Sequence, residues 1–258
     1  MDYEMITYAE ADGLAVITLN RPDVMNALNR RMRQEITAAV ARAGQGARVL
    51  VLTGSGRAFC SGQDLTDGGS ALEIDLERTL REEYEPMLRA IFDAPIPVIA
   101  AVNGAAAGAG ANLALAADVV IAAESASFIQ AFARIGLIPD AGGTYWLPRQ
   151  VGFARAMGAA LFADKITARE AADWGMIWQA VPDAEFDAVW QGRAAQLASG
   201  PTTTYRHIKT AIRQSFANDL DQQLALEAEL QGACGRTADF REGVSAFLEK
   251  RPARFSGR

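Results

Sequence analysis

Apolar and polar residues alternate over residues 3–9 and 14–20, with Asp12 and Gly13 between the two runs. Alternation of period two marks half-buried strands, and Asp-Gly marks a two-residue hairpin turn. Leu28, Met32, Ile36 and Val40 then recur every four residues, the spacing of one helix face. Asn26 or Asn29 caps this helix, which runs to about Ala43. Continuous apolar runs at 49–52, 97–102 and 119–122 read as buried strands. Residues 76–92 form a charged amphipathic helix, 110–116 a shorter helix and 128–131 a short extended piece, while 68–74 reads as a mobile loop. Strands and helices alternate repeatedly, which predicts parallel sheets with crossover helices. Periodicity alone does not separate a spiral of such units from a doubly wound sheet.

The second half reads as helical. Thr167 and Glu170 form a capping box, Pro201 opens a helix to about Phe216, and helices follow at 220–232 and 237–249. Their apolar faces exceed what a lone bundle needs.

At 258 residues, half of them hydrophobic and 22% charged, the chain is long enough to bury a sizeable core. A net charge of −6 leaves no basic footprint for nucleic acid. The N-terminus lacks the basic and apolar regions of a signal peptide. Asn103, Asn112, Asp118 and several glycines interrupt the apolar stretch 97–123, so it reads as strand, turn, helix and strand, with no membrane span. Cys60 and Cys234 are far apart and give no disulfide framework. A cytoplasmic location fits. His207 is the only histidine; it sits mid-helix as a structural or surface residue, and no multi-histidine metal site exists.

Two glycine-bearing turns carry the chemistry: GSGRAFCSGQDL at 54–65 and NGAAAGAGAN at 103–112, each after a buried strand. Small residues let backbone N–H groups approach a ligand closely. Two such turns can aim two amides at one carbonyl oxygen, an oxyanion hole; the alternative is a pair of tight turns packed for shape. Other readings of the glycines fail on spacing. A dinucleotide fingerprint needs glycine where Leu113 stands, and no Gly-Lys-Ser/Thr phosphate loop occurs. Ser61 lacks the flanking glycines of a nucleophile elbow, and Cys60 reads as a small buried hydrophobe.

With LNRPDVMNAL at 19–28 upstream, the two turns resemble the crotonase (enoyl-CoA hydratase/isomerase) superfamily. The resemblance runs from about residue 15 to the C-terminus. It implies an α/β fold: a crotonase-like ββα spiral core over 1–195, holding a CoA-thioester site, and a C-terminal helical trimerisation region over 196–258. It implies backbone donors at Gln63 and Ala109, for which side-chain identity matters little. It implies an acyl-CoA substrate, with coenzyme A as part of that substrate and no separate cofactor. It also implies self-association as a homotrimer or a dimer of trimers.

The chain departs from the hydratase pattern at both of the family's catalytic glutamates, where Asn112 and Phe132 stand. Hydration needs a base for water and an acid for the α-carbon, and neither residue supplies one. Asp140, in LIPDAGGT at 137–144, is the carboxylate that remains. In the superfamily an aspartate here recurs in isomerases and a dehalogenase; the alternative role is an N-cap for the next helix. Set among Phe132, Ile138, Tyr145 and Trp146, its carboxyl is expected to have a raised pKa. Phe132, Tyr145 and Trp146 suggest an aromatic-friendly substrate pocket, and Asn112 either orients a substrate oxygen or packs the turn. By resemblance, Val24, Met25, Ser61, Gln63 and Leu65 contact coenzyme A, joined by Phe247 and Lys250 from a neighbouring subunit.

Five segments narrow the resemblance further: FCSGQDL at 59–65, AAGAGANLAL at 106–115, AFARIGLIPD at 131–140, WGMIWQ at 174–179 and DFREGVSAF at 239–247. Together they are similar to the branch that isomerises ring-1,2-epoxyphenylacetyl-CoA to an oxepin thioester and also shifts Δ3 double bonds to Δ2. The expected activity is therefore that of an acyl-CoA isomerase with Asp140 as proton carrier. The competing readings are a 2-enoyl-CoA hydratase and a non-catalytic protein binding CoA esters or RNA.

Overall fold

The hairpin turn forms as its sequence predicts. Asp12 and Gly13 both take positive φ, 52° and 78°, which matches the twist of the flanking strands. The computed structural model describes residues 3–67 and 74–258, so the loop expected at 68–74 lies, but for its last residue, outside them. The hairpin joins β1 (Ile6–Ala11) to β2 (Leu14–Leu19), with Ile6 opposite Leu19. The other strands are β3 (Val49–Gly54), β4 (Ala58–Cys60), β5 (Val98–Val102), β6 (Ala105–Ala107), β7 (Val119–Ala123), β8 (Ser127–Ile129), β9 (Ile166–Thr167) and β10 (Gln179–Val181).

These strands form two sheets. The larger has the order β1-β2-β3-β5-β7-β10 and is parallel from β2 onward; the smaller has the order β4-β6-β8-β9. Strands β3, β5 and β7 lie in the large sheet, and each is followed at once by a strand of the small one. The chain thus climbs in ββα turns, the spiral that the resemblance implied. In the large sheet β3 and β5 are buried along nearly their whole length, as expected for parallel strands covered on both faces.

Helix Arg30–Gly46 starts at Asn29, whose side chain accepts the Met32 N–H at 2.8 Å. Met32, Ile36 and Val40 are buried along it. The helix expected over 76–92 is present, but the five residues Leu80–Tyr84 widen into a π-turn. Pro86 is the physical cause: it has no N–H for the Glu82 carbonyl, and its ring crowds that carbonyl. The extended piece expected at 128–131 ends at Ile129, and Ala131–Ile135 coils into a 3-10 turn. Helix Phe186–Ala198 was not read from the sequence, and a helix was expected after Asp140 without the extent Gly143–Phe162. The latter is broken at Gly152 (φ 77°) and carries Pro148, so its apolar period is interrupted.

The last three helices, Thr202–Gln214, Leu220–Cys234 and Ala238–Glu249, bury little. Ile212, Phe216, Leu220, Leu224, Phe247 and Leu248 are all more than half exposed. Among the described residues no helix is long and apolar enough to cross a membrane.

Candidate active site

The small sheet brings the two glycine turns together. Strands β4 and β6 are parallel neighbours, with Ala58 opposite Ala105 and Cys60 opposite Ala106. Their C-terminal ends lie side by side, and the chain leaves one into Gly62-Gln63 and the other into Gly108-Ala109. The approach is close. Gly62 has φ 96°, and a Cβ there would lie 2.8 Å from the Ala107 carbonyl oxygen and 3.4 Å from the Ala109 nitrogen. A Cβ on Gly110 would sit 2.3 Å from the Cys60 carbonyl oxygen, so only glycine lets the next helix start there.

Ala109 is the first residue of helix Ala109–Leu115, whose leading N–H groups have no intrahelical acceptor. Neither the Ala109 nor the Gln63 N–H finds an acceptor among the described residues. Both residues line a cavity of about 150 Å³, together with Gly62, Gly108, Phe132 and Asp140. Two unengaged amides at adjoining turns are suited to an oxygen that gains negative charge.

Asp140 reaches this cavity from the third strand end in the row. Strand β8 pairs with β6 and leads through the 3-10 turn to the loop that carries Asp140. Asn112 fixes that loop. It is fully buried, its Nδ2 donates to the Asp140 carbonyl at 2.7 Å, and its Oδ1 accepts from Gln130 Nε2 at 2.8 Å. Its partners are therefore protein groups, and of the two roles open to it in sequence the packing role matches them. The N-cap of the following helix is Gly142, so the Asp140 carboxylate caps nothing. One carboxylate oxygen, Oδ1, is buried without a hydrogen-bond partner among the described residues. Burial pushes the Asp140 carboxyl up to about 6, since the charged form loses hydration. Cys60 is buried and its thiol is pushed up to about 12, which leaves it inert.

The raised carboxyl has a consequence for stability. An unfolded aspartate titrates near 3.9, so between about pH 4 and 6 the unfolded chain gives up this proton before the folded one. Its ionisation therefore costs folding free energy as pH rises, on the order of 2 kcal/mol above pH 6. Asp140→Asn escapes that cost. Denaturant titration should find the variant's gain over the parent at least 1 kcal/mol larger at pH 8 than at pH 4, a difference of order 2 kcal/mol at most. A gain that is the same at both pH values would place the carboxylate in ordinary solvation.

A second cavity, of about 590 Å³, opens on the far side of Asp140 and is walled by Leu88, Phe92, Tyr145 and Trp146. Leu80, Tyr84 and Asp140 line both. Trp146 packs edge-on to Tyr145 with centroids 4.8 Å apart, and against Phe92 at 5.1 Å. Phe132 lies in the first cavity, below Gly108.

Most residues expected to meet coenzyme A gather at the mouth. Ser61 N donates to the Met25 carbonyl at 2.9 Å, and Ser61 Oγ to the Val24 carbonyl at 3.3 Å. Asn26, fully buried at φ 55°, ties this turn to β4 through Nδ2 bonds of 2.9 Å to the Ser55 and Ala58 carbonyls. Val24, Met25 and Leu65 are exposed there. Phe247 and Lys250 are not brought to this cavity within one chain; Phe247 lines a separate apolar hollow between the C-terminal helices.

Sequence reasoning missed two residues that touch the site. Buried Arg33 and Tyr84 both donate to the Gln63 side chain, at 2.9 and 2.6 Å, a residue of which only the backbone was given a role. The available signal was Pro86, which breaks the helix period just where Glu83 and Tyr84 turn inward.

A model of the enoyl-CoA hydratase/isomerase family matches residues 9–258. A protein of Rhodobacter capsulatus named probable enoyl-CoA hydratase is 66% identical over the full length of both chains. The 1,2-epoxyphenylacetyl-CoA isomerase of Escherichia coli is 47% identical over 95% of this chain and 96% of its own. Among solved structures, the enoyl-CoA hydratase of Bacillus anthracis superposes with a TM-score of 0.92 at 32% identity, over 99% of this chain and all of its own.

Proposed function

The chain belongs to the enoyl-CoA hydratase/isomerase family, and from that premise we propose that it is an acyl-CoA isomerase that moves a proton with Asp140. One observation carries this reading: among the described residues, Asp140 is the sole carboxylate lining the cavity beside the two unengaged amides. The two positions at which the hydratases of the superfamily carry glutamate hold Asn112 and Phe132.

The steps balance on one carboxyl group. With a 3-enoyl thioester, the Asp140 carboxylate removes the proton from C2. The charge spreads onto the thioester oxygen, where the Gln63 and Ala109 N–H groups stabilise it. As the oxyanion re-forms the carbonyl, the C1–C2 double bond of the dienolate moves to C2–C3, and the C3–C4 electron pair takes the proton from the Asp140 carboxylic acid at C4. A carboxyl titrating near neutrality suits a group that takes and gives back one proton. For an aryl epoxide, the same oxyanion site would assist opening of the strained ring. The aromatic wall of Phe92, Tyr145 and Trp146 supports such an acyl group, as does the similarity to the Escherichia coli isomerase. The exposed apolar residues of the last three helices support self-association of the kind the resemblance implied.

The test is to offer the protein cis-3-hexenoyl-CoA and crotonyl-CoA separately. Formation of the conjugated 2-enoyl thioester from the first, with little hydration of the second, is expected. Hydration of crotonyl-CoA without isomerisation would instead favour the activity named for the Rhodobacter capsulatus relative. An epoxidised phenylacetyl thioester is the next substrate.

A further inference from the structure

The Gln63 side chain is clamped. Its Oε1 accepts two hydrogen bonds at once, 2.6 Å from the Tyr84 hydroxyl and 2.9 Å from Arg33 Nη1. Its Nε2 donates to the Asp64 carbonyl at 3.1 Å. Arg33 Nη1 also donates to the Leu28 carbonyl at 2.7 Å. Leu28 in turn brackets Gln63: its N–H donates to the Gly62 carbonyl at 2.7 Å, and its carbonyl accepts the Asp64 N–H at 3.1 Å. One guanidinium therefore touches both the side chain of Gln63 and the segment that holds its backbone.

Arg33 is 2% exposed. Such a cation is costly to bury unless paired and hydrogen-bonded, and here Glu83 and Asp67 neutralise it while its guanidinium carbon lies 4.8 Å from the Tyr84 ring centre. Glu83 and Tyr84 come from the π-turn ahead of Pro86, a feature that concentrates at functional sites. Burial holds the Tyr84 hydroxyl well above the usual tyrosine range, so it remains a donor at every working pH.

We propose that Arg33 and Tyr84 are positioning residues for the isomerisation: through the Gln63 side chain they set the direction in which the Gln63 N–H meets the thioester oxygen. The inference rests on the reading of the site given above. Oxyanion donors act by being aimed before charge develops, and small misplacements in such sites cost up to about 100-fold in rate.

Tyr84→Phe, Gln63→Met and Arg33→Lys test this with two readouts. The first is turnover of cis-3-hexenoyl-CoA. The second is the infrared stretch of an isotope-labelled carbonyl in bound hexanoyl-CoA, a saturated thioester that does not react. In the parent protein that stretch should fall below its value in water. Each variant should return it part-way and lower kcat by about 10- to 100-fold, with KM changed little. Tyr84→Phe combined with Gln63→Met should lose no more than Gln63→Met alone. Thermal melting of each variant reports folding, and Tyr84→Phe, which removes one oxygen, remains informative if Arg33→Lys unfolds. Variants that melt earlier yet keep the parent's kcat and carbonyl shift would make the network a structural brace and overturn the inference. A parent protein with no carbonyl downshift would remove the thioester site, and this inference with it.

Discussion

Asp140→Asn is expected to lower isomerisation of cis-3-hexenoyl-CoA by about 10²- to 10⁴-fold, the usual worth of a positioned acid–base group, while thioester binding is kept. Asparagine has the same shape and cannot take the proton. Among the described residues no other carboxylate lines the inner cavity. Glu85, on the outer one, is paired with Arg89 at 3.0 Å and faces solvent. In the parent protein, kcat/KM should rise with pH through about 6, because the carboxylate is the form that starts the reaction and burial sets its pKa there. Turnover by the variant within a few-fold of the parent would move the proton to another group and leave Asp140 as a loop anchor.

Ala109→Pro is expected to cost about 10²- to 10³-fold in kcat, the usual loss for one oxyanion donor, with the fold retained. Proline is normally a poor probe of a backbone amide because it breaks what it touches. At this position it is well tolerated on physical grounds. Ala109 is the first residue of its helix, where proline is favoured and its missing N–H has no acceptor to lose. The residue before a proline must be extended, and Gly108, at φ 51° and ψ −125°, holds the mirror image of an extended conformation that glycine alone adopts freely. The ring carbon would stand where the hydrogen stood. Circular dichroism and thermal melting check the fold, and single-turnover kinetics check the chemistry. A folded variant with the parent's rate would exclude the Ala109 amide as a donor.

Much of the fold was legible because its signals are local. The Asp12-Gly13 turn, the Asn29 cap and the apolar runs of β3, β5 and β7 each declare themselves within a few residues. The short strands β4 and β6 lie inside the glycine motifs and were not read as strands, since three residues carry no period. The extent of helix Gly143–Phe162 was hidden by Gly152 and Pro148, which interrupt its pattern. At the site, the glycine turns mark themselves in the sequence, Gln63, Ala109 and Asp140 were expected from the resemblance, and all three line one cavity. The roles of Arg33 and Asn112 could not. Arg33 binds Gln63 from 30 residues away and Asn112 binds Asp140 from 28 away. Polar pairs at such separations obey the fold and no local period.

The row β4-β6-β8 gives the site its gauge. Neighbouring strands in a sheet stand about 4.8 Å apart, a distance fixed by the main-chain ladder and indifferent to side chains. The first amide follows β4 by three residues and the second follows β6 by two, so the gap between the two donors is gauged by neighbouring strands of one sheet. The carboxylate comes eleven residues past β8, beyond the 3-10 turn, in a loop that Asn112 ties down. Main chain thus spaces the charge stabiliser, and a buried side chain places the proton carrier against it.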